Sequence, residues 1–123
     1  MIDLTPEGIH KYCGPVRAGE YRGRIEAVAL SKPLGGSTAW HLHWKLRGVA
    51  AVLVDSLTVF SIDRPIASAW HRVAAILVAN GRPLEFNHEG QVRAALVGCE
   101  ALLTVAKDEA QLVVADVKPV PSP

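Results

Sequence analysis

Hydrophobic and polar positions alternate most clearly over Thr38 to Arg47. Trp40, Leu42, Trp44 and Leu46 fall on one parity, and His41, His43, Lys45 and Arg47 on the other. A period of two is the pattern of a strand with one buried and one solvated face. Glu20 to Leu30 alternates as well, with Tyr21, Ile25, Ala27 and Ala29 opposite Arg22, Arg24 and Glu26. The turn chemistry of Lys32-Pro33-Leu34-Gly35-Gly36-Ser37 separates the two strands. A third strand, Val49 to Phe60, is apolar on both parities, with Val52 and Val54 against Leu53 and Leu57. Such a strand is expected to be covered on both faces, by another element of the chain or by a second subunit.

Helical spacing follows. Ile66, Trp70, Val73, Ala74 and Leu77 recur at three and four residues, ahead of an Asn80-Gly81 stop. Ser61-Ile62-Asp63-Arg64-Pro65 places an acid and a proline where a first turn favours them, so the helix is expected to start there. His71, Arg72 and Ser68 fall nearer its polar side. A short second helix is expected within Asn87 to Val97. Cys99 to Ala106 and Gln111 to Val117 read as a hairpin around Lys107-Asp108-Glu109-Ala110.

The expected architecture is mainly β with one or two helices: a five-stranded OB-fold-like barrel with a helix between strands three and four. A barrel also removes the open edges that five short strands would leave. An open antiparallel sheet with helices on one face is the competing arrangement. Residues 1–18 form an irregular lead-in, 19–118 the barrel domain, and 119–123 a proline-rich tail that cannot join a sheet interior.

Composition narrows the class. At 123 residues the chain is sized for a single core, and 50% hydrophobic residues with 20% charged exclude a disordered polymer. No apolar run approaches the roughly 20 residues that span a bilayer. Met1 to Glu7 has neither the basic nor the apolar region of a signal peptide, so a cytoplasmic protein without membrane contact is expected. Cys13 and Cys99 make no disulfide framework. The net charge of +1 excludes a uniformly basic protein, but the charge is uneven. Residues 1–47 hold seven Lys/Arg against four acids, and three of the five histidines.

Catalytic motifs fail one by one. Gly14-Pro15-Val16-Arg17-Ala18-Gly19 has the glycine spacing of a phosphate loop, but Glu20-Tyr21 stands where Lys-Ser/Thr is needed. His88-Glu89-Gly90-Gln91-Val92 lacks the second histidine of a zinc-protease helix. There is no G-x-S-x-G elbow, and Cys99, at a strand start, reads as a small buried side chain. Asp116-x-Lys118 is a fragment of a metal-nuclease site without identifiable partner acids. His41-x-His43 puts two imidazoles about 7 Å apart on one strand face. They would need His10 or Cys13 to complete a zinc site, and an exposed basic face explains them without one. No enzyme activity, cofactor or metal is expected.

What remains is a basic strand face. Arg22 and Arg24 on the first strand, with His41, His43, Lys45 and Arg47 on the second, form one patch if the strands pair antiparallel. Lys32, in the turn between them, extends the cationic set. Binding a single strand takes cations that follow the backbone and rings on which bases stack. His41 and His43 are expected to contact bases, with Trp40, near a strand end, or Tyr21 as a further ring candidate. The alternative for Trp40 and Trp44 is core, since they share parity with Leu42 and Leu46. Polar residues on an outer strand face also need no function.

The run Ala18-Gly19-Glu20-Tyr21-Arg22-Gly23-Arg24-Ile25 resembles the P-x-G-x-Y-x-x-x-I opening of small bacteriophage and prophage proteins of single-stranded-DNA-binding type. Trp70 to Gly81 is similar to the helix of that family that ends in A-x-G. Leu96-Val97-Gly98-Cys99 to Val105 is similar to its L-x-G-K entry to the closing hairpin. The resemblance covers residues 18–118. It implies an OB-fold, binding of single-stranded DNA with little sequence preference, and work beside phage replication or recombination proteins. Cys99 departs from the family by replacing a basic residue, and the tail lacks an acidic partner-recruiting run. A homo-oligomer is expected from the two-faced third strand. An oligomeric interaction module of a mobile element, with no DNA role, is the alternative function.

Overall fold

The computed structural model describes residues 18–32, 35–50, 52–108 and 111–121. The alternating segments become β1 (Gly19–Ser31) and β2 (Ser37–Leu46), and the two-faced segment becomes β3 (Val52–Ser61). A two-residue β4 (Arg64–Pro65) follows, then α1 (Ala67–Ala79) and α2 (Glu89–Leu96). The chain closes on β5 (Glu100–Asp108) and β6 (Gln111–Lys118). All strand pairs are antiparallel, in the order β4-β3-β2-β1-β5-β6. The sheet curls into an OB-like half-barrel, with the helices between the third and fourth long strands.

The concave side holds the core. Trp40, Leu42, Trp44 and Leu46 are all fully buried, as the parity of β2 requires. They meet Ile25 of β1, Leu103 of β5, and Val73, Ile76 and Leu77 from one face of α1. Trp40 packs edge-on against Trp70 with centroids 5.1 Å apart, and Trp70 against Phe60 at 5.6 Å. That geometry is the favoured one for aromatic quadrupoles.

Three local features differ from the sequence expectation. The β1–β2 register slips between Ile25 and Ala27, a bulge at Glu26. One extra residue reverses the parity downstream, so Ala27 and Ala29 lie opposite His43 and His41 on the outer face, while Val28 and Leu30 take the core parity opposite Leu42 and Trp40. Ser61 to Pro65 is not a helix start. Ile62 and Asp63 have φ of 49° and 59°, and the chain reverses there so that Ser61 pairs with Arg64. Two successive positive φ values are those of a tight hairpin turn, and α1 begins only at Ala67. The third strand begins at Val52, and its outward residues Val52 and Val54 are 43% and 46% exposed. The expected turn around Glu109 and Ala110, the lead-in before Ala18 and the end of the tail lie outside the described residues.

The two outermost long strands, β3 and β6, share no ladder among the described residues. Arg72 of α1 spans the seam between them. It reaches the Asp55 carboxylate on β3 at 3.1 Å and the Val114 carbonyl on β6 at 2.9 Å.

Candidate nucleic-acid interface

The β1–β2 register decides which side chains meet on the convex face. Arg24 lies opposite Lys45 on one side and opposite Glu100 of β5 on the other. Just past β2, the Arg47 N–H donates to the Arg22 carbonyl at 2.8 Å, which holds Arg47 beside Arg22. Arg22, Arg24, Lys45 and Arg47 therefore line one open groove of about 670 Å³, together with Gly48 to Ala50 and Glu100. These four of the expected site residues are brought together.

The groove is not uniformly cationic. An Arg22 Nη donates to a Glu100 carboxylate oxygen at 2.7 Å, with both side chains 41% exposed. That hydrogen bond and the charges of Arg22, Arg24 and Arg47 hold the Glu100 carboxyl below its ordinary range. Lys45 is anchored at the groove end, its Nζ donating to the carbonyls of Val49 at 2.9 Å and Ala50 at 3.2 Å.

Farther along the same face the Lys and Arg side chains give way to histidines and small residues. His41 is held between two hydroxyls, with Nε2 2.7 Å from Ser31 Oγ and Nδ1 2.7 Å from Ser56 Oγ. His43 is half-buried between Ala27 and Val54 in the ladders. Together these residues make a floor of imidazoles and small side chains beside the cationic groove. Lys32 is exposed just past the far end of β1, eight positions beyond Arg24, so about 25 Å from the groove at strand rise. It stands apart from the other cations, beside the β1–β2 turn.

Two ring candidates are corrected. Trp40 is 0% exposed and belongs to the core, where the Arg93 guanidinium lies 5.4 Å from its ring centroid. Tyr21 has the parity of Gly23 and Ile25 and packs half-buried against the same core. The outer face thus presents histidines as its only rings from the expected set.

Three functional neighbours escaped the sequence reading. Glu100 is 78 residues from Arg22, so no local pattern pairs them. Asn80, read only as a helix stop, uses its side-chain amide to hold the start of β5: Nδ2 donates to the Glu100 carbonyl and Oδ1 accepts from the Glu100 N–H, both at 2.8 Å. Arg82 brings a further guanidinium near Arg24 without lining the groove, since a Cβ at Gly98 would lie 3.9 Å from a guanidinium nitrogen of each.

Among the described residues, no group of three or more His, Cys, Asp or Glu side chains could hold a metal ion. His10 and Cys13, which a zinc site would need, lie outside them. Cys99 is buried, its Sγ 3.3 Å from the Ala95 carbonyl, and burial pushes its thiol up despite nearby Arg82. A raised pKa keeps the thiol protonated and a poor nucleophile. Among the described residues, no helix is long and apolar enough to cross a membrane. The chain matches no known family and no curated protein.

Proposed function

We propose that the chain is a non-enzymatic single-stranded-DNA-binding protein, with phosphates held in the groove of Arg22, Arg24, Lys45 and Arg47 and bases laid over His41 and His43. The observation that supports this most is the convergence of four cations from β1, β2 and the residue just past β2, next to a floor of imidazoles and small side chains. Cations supply sequence-independent attraction to the backbone, and unpaired bases need only flat, weakly polar surface to rest on. The OB-like architecture adds an argument by analogy that overlaps this site on β2, the strand of His41, His43 and Lys45, because such barrels bind oligonucleotides on the face of strands two and three and on neighbouring loops. Lys32 stands at one of those loops. The resemblance over residues 18–118 supplies the setting: phage-type replication or recombination in a bacterial cytoplasm.

The test is fluorescence anisotropy of a labelled thirty-base oligo-dT across a salt series, with wild type and Arg24→Glu/Arg47→Glu. Binding that weakens with salt, with a log–log slope near −0.7 per phosphate contacted, and that collapses in the double variant is expected. An unchanged affinity in the folded double variant moves the site elsewhere, and no binding at low salt overturns the function.

A second reading rests on Val52 and Val54, exposed at 43% and 46% beside His43. They make this part of the face a contact for a second copy, as in an oligomeric interaction module. Sedimentation at the mass of a 13.2 kDa monomer would remove that reading.

A further inference from the structure

Glu100 lies in the cationic groove, where it would compete with any anionic ligand. Its carboxylate sits 2.7 Å from the Arg22 guanidinium, the geometry a bound phosphate oxygen would adopt. Arg24 lies opposite it in the β1–β5 ladder, and Arg24 and Arg47 both act on its charge. Asn80 fixes its backbone through two hydrogen bonds of 2.8 Å, so the carboxylate stands on a held strand start rather than on a mobile loop.

We infer that Glu100 is a built-in counter-anion that occupies the phosphate position on Arg22 in the unbound protein, and that it restricts the groove to long polyanions. The inference rests on the nucleic-acid reading of the same groove. A phosphate that reaches Arg22 must displace Glu100, so one charge-assisted hydrogen bond replaces another and the net gain is small. A mononucleotide or free phosphate therefore gains little. A polymer recovers the difference by engaging Arg24, Lys45 and Arg47 at the same time, because linked contacts form at high effective concentration. The salt dependence carries the signature. Cations condensed on a nucleic acid are released for each phosphate that a protein charge neutralises. Arg22, while it is paired with Glu100, neutralises no phosphate and so adds nothing to the slope.

The experiment compares wild type with Glu100→Gln, which keeps the size of the side chain and the backbone bonds to Asn80. Glu85→Gln, an exposed loop substitution of the same charge outside the groove, is the control for net charge. Oligo-dT and inorganic tripolyphosphate are titrated in parallel over a salt series. Glu100→Gln is expected to bind oligo-dT about three- to tenfold more tightly at low salt, with a log–log slope steeper by about 0.7, one further phosphate's worth. Tripolyphosphate binding should become measurable or tighten by a similar factor, while Glu85→Gln stays near wild type. Equal affinity and slope in wild type and Glu100→Gln would overturn the counter-anion role and leave nucleic-acid binding standing. Tripolyphosphate binding that responds to Glu100→Gln, without oligo-dT binding in either protein, would keep the counter-anion role and remove the nucleic-acid reading. No binding of either probe by either protein overturns both.

Discussion

The Arg72 guanidinium donates to the Asp55 carboxylate at 3.1 Å while Asp55 is only 9% exposed, so a helix side chain and a strand side chain pair at the seam between β3 and β6. The same Nη of Arg72 donates to Val114 on β6 at 2.9 Å. In a closed barrel, a strand ladder would satisfy those edge groups. Here one guanidinium bridges β3 and β6 and blunts two strand edges that would otherwise pair with other chains.

Arg72→Met keeps the apolar stem and removes the bridge. It leaves Asp55 without a partner and a β6 carbonyl without a donor, and breaking such a buried pair is costly. Because Arg72 is 22% exposed, the expected loss is about 2–3 kcal/mol at neutral pH, below the range for fully buried pairs. Urea unfolding measures it directly. A loss under about 0.5 kcal/mol, the size of an ordinary surface substitution, would mean that the seam is held by packing alone.

Asp55 gives the pH dependence its sign. Burial raises its pKa above 3.8, and the charge and hydrogen bond of Arg72 only partly reverse that. A raised folded pKa means that the folded state binds more protons above 3.8. Its contribution to stability is fully present below that value and is lost as pH rises through the folded pKa. Asp55→Asn removes this titration. The variant should match wild type near pH 3.5 and gain on it as pH rises toward 7, measured by urea midpoints over that range. A variant that falls behind as pH rises would show that the pairing with Arg72 outweighs desolvation. Glu100 works the other way, since its lowered pKa makes its contribution present above 4.5 and lost as pH falls. Its exposure keeps that term small.

Ile62 occupies a left-handed backbone conformation, φ 49°, with a β-branched side chain that is 73% exposed. Such residues pay about 1–2 kcal/mol in that region, and asparagine tolerates it. Nothing is gained from burial to offset the cost. Ile62→Asn should therefore stabilise the β3–β4 turn by about 1 kcal/mol, raising Tm by about 4 °C. Calorimetry reads this, and a lowered Tm would indicate that the Ile62 side chain makes a contact worth more than the strain.

The parts of the fold written in local periodicity were legible. All four apolar residues of β2 are fully buried as the alternation required, and Val73 and Leu77 lie on the buried side of α1. The site residues Arg22, Arg24, Lys45 and Arg47 meet because two adjacent strands pair in the expected sense. What was not legible has physical causes. The bulge at Glu26 adds one residue with no compositional mark, yet it sends Ala27 and Ala29 to the opposite face. Asp63-Arg64-Pro65 suits a helix start as well as a hairpin, and only the φ angles before it decide. Trp40 is a ring candidate only because it stands near a strand end; its parity with Leu42 and Leu46 already points to the core, where it is fully buried. Glu100 and Arg72 act through partners 78 and 42 residues away, beyond any local pattern.

Gly23 ties the core to the groove, because it lies between Arg22 and Arg24 with its open side facing inward. A Cβ there would stand 2.9 Å from Leu103 Cδ1 and 3.1 Å from the Trp44 ring. The leucine methyl can shift, but the fully buried indole has little room to do so, and overpacking of this kind costs about 1–3 kcal/mol. The lack of a side chain is what lets Trp44 close over the strand, the cover that a glycine in a sheet requires. Gly23→Ala should lower stability by that amount and shift the tryptophan emission, while displacing the two flanking arginines. Its oligo-dT affinity should fall with no change in groove charge. If stability falls and affinity stays, the arginines are flexible enough to find phosphates without the strand's help. If both stay at wild-type values, the contact between Gly23 and the Trp44 ring is looser than these distances imply.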